Sequence, residues 1–364
     1  ISNDLRAIPS LCIVTELKNL FDASTGIYAN AQQDGIEWER PVSLELIRPD
    51  GLAGFQANAG IRIRGGFSRD PSDPKHSLRF IFRSEYGDSK LRYPFFGPDG
   101  DDSIDKFDLR TAQDNSWAYQ GDSGATFLPD PFSRDTQLAL GRPGTRGSFY
   151  HVYINGQYWG IYNAEERPES EYAASYFGGL PADYDVIKVE AGPYDVVATD
   201  GTLAAWLRLW QAATNGFASS ANYQFIQGNN PDGTPNPAYE VLLDVPNLID
   251  YMLVIIYGGN YDGPVYLDNF PNNFYAMRNR TRRDGFRFVT HDAELSLNDI
   301  NFDRTQPIMV GDPAAGSSFS ESNPQYIWQR LQANAEFRLL VADHAQKFFF
   351  NSGPLTPGAC AARY

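Results

Sequence analysis

The sequence predicts an α+β protein of two lobes, β-rich over residues 1–167 and mainly helical over 168–364, with a small hairpin embedded in the second. Three observations carry this. Short β-branched and aromatic runs, parted by Gly, Pro and Asp clusters, fill the first half. Apolar residues at helical spacing dominate the second half. No internal repeat or low-complexity linker divides the chain, so residues 1–364 read as a single domain made of the two lobes.

From the N-terminus, "SLCIVTEL", "PVSLELIR" and "AGIRIRGG" are partly alternating runs that suit an antiparallel sheet. In "SFYHVYINGQYWGIYNAEE", Asn155-Gly156 lies between two aromatic and β-branched runs and supplies the positive φ angles of a two-residue hairpin turn. In "TLAAWLRLWQAATNG", Leu203, Trp206, Leu207 and Trp210 share one helical face, and Gly216 stops the helix. "DVPNLIDYMLVIIYGG" opens with an Asp near a Pro, is apolar on most sides and ends at Gly258-Gly259, the pattern of a buried helix. "NNFYAMRN" and "DGFRFVTHDAE" read as two strands joined by a polar turn around Arg280 to Gly285. Two more helices are expected across Pro324 to Ala333 and Ala335 to Phe350.

Forty-five acidic against 30 basic residues give a net charge of -15, which argues against nucleic-acid or anionic-membrane binding through bulk electrostatics. An acidic chain that holds phosphate has to concentrate its positive charge locally. No apolar run reaches the roughly 18 to 20 residues of a membrane span, and no leader opens the chain at Ile1, so the expectation is a soluble protein with any leader removed. The two cysteines, Cys12 and Cys360, exclude a disulfide framework or a four-thiolate zinc site; a single bridge and two separate thiols both fit. The abundance of Tyr, Asn, Asp and Gly points towards a loop-rich extracellular protein.

Several constellations suit phosphate chemistry. "NYDG" at Asn260 to Gly263, then Asn272-Asn273, then "THDAE" place carboxylates and amides at the ends of apolar elements, where sites are built. Asp292 and Glu294, one residue apart, would face the same side of a continuing strand and share a hard divalent cation such as Mg²⁺, Mn²⁺ or Ca²⁺. Turn capping, or pairing with Arg282, Arg283 or Arg287, is the equally weighted structural alternative. In "IRIRGGFSRDPSDPKHSLRF", Arg62 and Arg64 alternate along one strand and Lys75 falls on what reads as the next, a phosphate-sized basic patch; a solvated strand face is the alternative. Glu166 closes the Asn-Gly hairpin, where an acid either orients a lysine or forms a surface pair. Arg110, Asp114 and Ser116 in "FDLRTAQDNSW" read as a structural network. "GDSGA" at Gly121 to Ala125 echoes the nucleophile segment of trypsin-like proteases, but His76, the one upstream histidine, lacks the expected flanks. The four histidines, His76, His151, His291 and His344, are too dispersed for a zinc motif.

Taken in order, "GIRIRGGFSRDPSDPKHSLRFIF", "FDLRTAQDNS", "YINGQYWGIYNAEERP", "GNYDG", "NNFYAMRN" and "FVTHDAELSL" resemble the CotH family of atypical protein kinases, named for a spore-coat protein, over Ile61 to Leu297. The resemblance implies a divergent bilobal protein-kinase-like fold that uses ATP and Mg²⁺ or Mn²⁺, with Ca²⁺ a further candidate, to phosphorylate Ser or Thr on secreted or surface proteins. It implies Lys75 as the contact to nucleotide phosphates, with Arg62, Arg64 and Glu166 beside it in the cofactor site. Asp262 becomes the catalytic base, and Asn273, Asp292 and Glu294 the metal ligands. Two departures are plain: Asp262 and Asn273 stand 11 residues apart, and His291-Asp292-Ala293-Glu294 replaces the family's commoner Trp-Asp-x-Asp. A metal-dependent hydrolase of phosphoesters such as inositol phosphates, or a non-catalytic pseudokinase module of a surface protein, would use the same residue set. The partner is thus a protein or a phosphorylated small molecule, the oligomeric state stays open, and an extracellular or cell-surface location is expected.

Overall fold

In the computed structural model, residues 3–116, 125–190, 195–264, 272–301, 303–305 and 322–364 are described. The "GDSGA" segment falls largely outside them. The chain divides into two compact units, Ile1–Phe127 with Arg146–Arg167, and Leu128–Thr145 with Pro168–Tyr364.

The first unit contains strands β1 (Ser10–Val14), β2 (Arg40–Ile47), β3 (Gln56–Ile63), β4 (Leu78–Ile81), β5 (Leu91–Arg92), β6 (Ser103–Ile104), β7 (Lys106–Arg110), β8 (Gly147–Ile154) and β9 (Gln157–Glu165), and the short helix α1 (Leu17–Phe21). Seven of the strands close into a barrel in the order β1-β2-β3-β4-β7-β9-β8, with β5 and β6 forming a separate ribbon. Closure depends on one non-local pairing: β1 is antiparallel to β2 on one side and parallel to β8 on the other, with Ser10 opposite His151. Inward-facing side chains such as Leu11, Ile13, Leu44, Ile61, Phe80, Phe107, Val152 and Ala164 have at most 0% exposure and fill the interior. The Asn155-Gly156 turn between β8 and β9 has φ values of 50° and 81°, as expected of a hairpin whose turn twists with its strands. Asn155 is anchored further, because its Oδ1 accepts the Thr15 N–H at 2.9 Å.

The second unit contains α2 (Pro129–Ala139), α3 (Ser170–Phe177), β10 (Tyr184–Val189), β11 (Val196–Asp200), α4 (Ala204–Asn215), α5 (Ser220–Phe225), α6 (Val245–Gly258), β12 (Phe274–Asn279), β13 (Arg287–Thr290), α7 (Pro324–Leu331), α8 (Ala335–Phe349) and α9 (Pro357–Arg363). Its sheet has the order β11-β10-β12-β13, so β13 is an edge strand. Helix α6 has the expected caps: Asp244 accepts the Asn247 N–H at 3.0 Å, and Gly259 terminates the helix in the left-handed conformation. Trp206, Leu248, Ile249, Phe274 and Phe288 pack with it in the main core of this unit.

The kinase-like bilobal expectation is therefore corrected. The β-rich segment is a closed barrel rather than an open sheet lobe, and a four-stranded antiparallel sheet with helices packed on it makes up the other unit. The physical reason is edge pairing: an open sheet would leave β1 and β8 with unpaired backbone, and their pairing removes both edges. Cys12 and Cys360 are both unbonded thiols. Among the described residues no helix is long and apolar enough to cross a membrane.

Candidate functional site

The three polar clusters that follow apolar elements meet in the second unit. After α6 the chain turns through Asn260 to Gly263, and Tyr261 N–H donates to the Leu295 carbonyl at 3.0 Å while Leu297 N–H donates to the Gly258 carbonyl at 2.7 Å. The loop that carries Asp262 is thus stitched by backbone to the loop that follows Asp292. Strand pairing supplies the third link, because β12 and β13 are antiparallel with Phe274 opposite Thr290. Residues just before β12 and just after β13 therefore leave the sheet at the same end, and these are Asn272, Asn273, His291 and Asp292.

Side chains complete the arrangement around Asp262. Asn273 Nδ2 donates to Asp262 Oδ2 at 2.8 Å and to the Asp262 carbonyl at 3.1 Å. Asn272 Nδ2 donates to both carboxylate oxygens, at 3.2 and 3.1 Å. Asn260 Oδ1 accepts the Asp262 N–H at 3.2 Å, and Gly263 passes so close to Asn260 that a Cβ there would lie 2.8 Å from its Nδ2. The separation of 11 residues between Asp262 and Asn273 does not keep them apart, because the intervening chain returns to the start of β12.

Backbone strain marks the same place. Asn273 has φ 53° and Asp292 φ 55°, in the left-handed region that costs an ordinary L-residue about 1 kcal/mol. Asp292 and Glu294 do not lie on a continuing strand: β13 ends at Thr290, and Ser296 N–H closes a turn on the Ala293 carbonyl at 3.1 Å. Glu294 is buried at 6% exposure, whereas Asp292 is half-buried. His291 stacks edge-on against Tyr275, with ring centroids 5.0 Å apart.

These residues suit a hard cation. Asn273 points its amide nitrogen at Asp262, which turns its carbonyl oxygen the other way, and Asp292 offers a carboxylate at the neighbouring strand end. Among the described residues no three His, Cys, Asp or Glu side chains gather as a metal-binding group. A cation here would draw on amide and carboxylate oxygens together with oxygens of the substrate, the usual manner of Mg²⁺.

Lys75, Arg62, Arg64 and Glu166 belong to the barrel unit. Lys75 precedes β4 rather than lying on it, and its Nζ donates to the Ile161 carbonyl at 2.6 Å and sits 4.5 Å over the Tyr162 ring. Burial, against the opposing charge of Asp73, pushes its ammonium down to about 8. Arg62 bonds Glu39, with Nη2 2.8 Å from Oε2, and Arg64 Nε lies 3.1 Å from Asp108. The same Asp108 carboxylate pairs with Arg79 and Arg167, at 2.6 and 3.3 Å. Burial alone would raise that carboxyl, but the surrounding guanidiniums hold it well below the usual carboxylate range. Glu166 Oε2 accepts the Arg146 backbone N–H at 2.7 Å, pinning the start of β8, instead of orienting Lys75. Arg110 pairs with Glu165 at 3.6 Å, in keeping with a structural network.

The family model described as CotH kinase protein matches residues 61–353, which takes in both the Lys75 segment and the Asp262–Asp292 cluster. The chain belongs to the CotH kinase protein family. No curated protein matches it.

Three residues near the CotH cluster had no signal in the motifs. Asp130 and Gln137 of α2 bond the backbone of the Asp292 segment, and Arg304, 2% exposed, donates to the Tyr261 carbonyl at 3.4 Å with its guanidinium 5.5 Å over the Tyr261 ring. The helical pattern of α2 was masked by its polarity, although the Pro pair in "PDPFSRDTQLA" is a helix-start signal.

Proposed function

We propose that this CotH-family chain is a phosphotransferase that moves the terminal phosphoryl group of ATP to a Ser or Thr hydroxyl of a secreted or surface protein. The observation that carries the reading is the grip of Asn272 and Asn273 on both oxygens of Asp262, at 2.8 to 3.2 Å. A carboxylate oriented by two side-chain amides has fixed acceptor directions, which is what a base for a hydroxyl proton requires. In the proposed step the acceptor oxygen forms a bond to the terminal phosphorus, its proton passes to Asp262, and the bond from that phosphorus to the bridging oxygen breaks to release ADP. Asn273, Asp292 and Glu294 are the residues that would hold the divalent ion, and that ion, when bound, offsets charge on the phosphate oxygens. Family resemblance assigns Lys75 the nucleotide phosphates, and its amine with a value near 8 stays charged at neutral pH while being poorly solvated.

The test is incubation of the purified chain with γ-labelled ATP, Mn²⁺ or Mg²⁺, and a Ser/Thr peptide library. Transfer of label to peptide or to the chain itself is expected, with Asp262→Asn lowering the rate by about a hundredfold or more. Release of free phosphate alone, from ATP or from an inositol phosphate, would instead indicate a hydrolase. Label transfer that survives Asp262→Asn unchanged would remove Asp262 from the role of base.

A further inference from the structure

Helix α2 is unusual in what it buries. Asp130, Ser133, Arg134, Thr136 and Gln137 are all at or below 3% exposure. Burying this much polarity costs several kcal/mol unless each group is bonded, and a helix needed only for packing would carry Leu or Val at such positions. Three of the five, Asp130, Ser133 and Gln137, reach one segment, residues 288–296, while Thr136 accepts from Arg363 at 2.9 Å. Gln137 Nε2 donates to the Phe288 carbonyl at 2.7 Å and its Oε1 accepts the Thr290 N–H at 2.7 Å, so one amide serves as a strand rung on the open edge of β13. Asp130 Oδ1 accepts the Ala293 N–H at 2.9 Å, and Ser133 Oγ donates to Ser296 Oγ at 3.3 Å. Arg134 in turn holds Asp130, with Nε 3.0 Å from Oδ2, and its Nη1 donates to the Thr145 carbonyl at 3.3 Å.

These bonds bracket Asp292. The N–H two residues before it is fixed by Gln137 and the N–H directly after it by Asp130, while Asp292 itself sits at φ 55°. A non-Gly residue keeps that conformation only where its surroundings over-determine it. We propose that α2 is the positioning element of the site, with Gln137 and Asp130 holding the backbone that presents the Asp292 carboxylate; this rests on Asp292 being a metal ligand of the proposed phosphotransferase. Asp130 acts through the Ala293 amide and touches no substrate.

The experiment compares the full chain with Asp130→Ala and with the conservative Asp130→Asn, which retains an acceptor oxygen for the Ala293 N–H. Two readouts are taken: the Mn²⁺ concentration that gives half of the maximal thermal shift, and amide hydrogen exchange over residues 290–297 without metal. The expected result is a rise of about tenfold in the half-saturating Mn²⁺ concentration for Asp130→Ala, the scale of a lost outer-shell partner. Faster exchange confined to 290–297 should accompany it, and Asp130→Asn should restore most of both. A wild-type Mn²⁺ response that Asp130→Ala leaves unchanged, even with a lowered melting temperature, overturns the inference and makes Asp130 structural only. A wild-type chain that shows no Mn²⁺ shift overturns both the inference and the metal site beneath it. A wild-type Mn²⁺ shift without label transfer removes the transferase reading but leaves the positioning of Asp292 standing.

Discussion

Two buried polar groupings, one around β3 and β7 of the barrel unit and one around β13 and the Asp262 loop of the helical unit, are satisfied in different ways. In the barrel, charge is matched to charge: Asp108 gathers Arg64, Arg79 and Arg167, and Glu39 takes Arg62 and Arg83. Around β13 and the Asp262 loop the partners are neutral amides: Gln137 and Asn247 satisfy the β13 backbone, and Asn272 and Asn273 hold the Asp262 carboxylate, although the same unit also buries the Arg134–Asp130 ion pair. The contrast teaches where to look for chemistry. Arginines locked onto buried carboxylates form a scaffold, and Arg62 and Arg64 are each held in this way, by Glu39 and Asp108. Amides, unlike guanidiniums, steer a carboxylate without cancelling its charge.

The largest effect expected from breaking this contrast is at Asp108. Asp108→Ala leaves guanidiniums buried without their shared anion and should destabilise by about 3 to 5 kcal/mol. Urea unfolding checks this, and a loss below about 1 kcal/mol would mean that the arginines are solvated and the barrel's charge matching is unimportant. The next effect is at Lys75, the barrel cation held by a carbonyl and an aromatic ring. Its folded-state value is lowered from 10.5 to about 8, so below pH 8 both folded and unfolded chains carry the proton and folding bears the full cost of burying the charge. Between about pH 8 and 10.5 the folded chain gives up the proton first, the unfolded chain binds more, and stability rises with pH. Wild type should therefore gain about 2 to 3 kcal/mol on Lys75→Met between pH 7 and 10.5, measured by paired denaturant titrations. A flat difference across that range would place Lys75 in a wet environment. The smallest of the three effects lies in the helical unit: Asn247→Leu removes the amide that accepts the Phe288 N–H at 2.6 Å and donates to the Phe288 carbonyl at 3.4 Å. A cost of about 2 kcal/mol is expected from orphaning the buried Phe288 N–H, since Gln137 still serves the carbonyl, with thermal unfolding as the readout. A neutral outcome would show that water replaces the amide and that amide-to-backbone matching is dispensable there.

Much of the candidate site was legible because its parts are local. "NYDG" directly after a capped helix, an Asn pair before a strand and "THDAE" after one are each visible within a few residues, and the structure joins them. What the motifs hid was support from afar. Asp130 lies 163 residues from Ala293, and Gln137 lies 153 from Thr290, so no spacing rule connects them. Asp108 did carry a signal, an acid between Phe107 and Leu109 in the middle of a strand, which is the pattern of a buried ion pair. Lys75 was read on a strand that in fact begins at Leu78, because "KHSLRF" alternates weakly at its start.

By itself the sequence determined the elements whose energetics are short-range: the Asn155-Gly156 hairpin, the Asp244 and Gly259 caps of α6, the pairing of β12 with β13, and membership of the CotH kinase protein family. Turns and caps depend on φ preferences and on hydrogen bonds within a few residues, which composition and periodicity record. Only the tertiary structure decided that β1 closes against β8, that the arginines of β3 end on Glu39 and Asp108, and that α2 carries the Asp292 backbone. Those choices belong to partners brought together across 23 to 163 residues, selected by edge pairing and by the need to satisfy every buried polar group, and neither appears as a pattern along the chain.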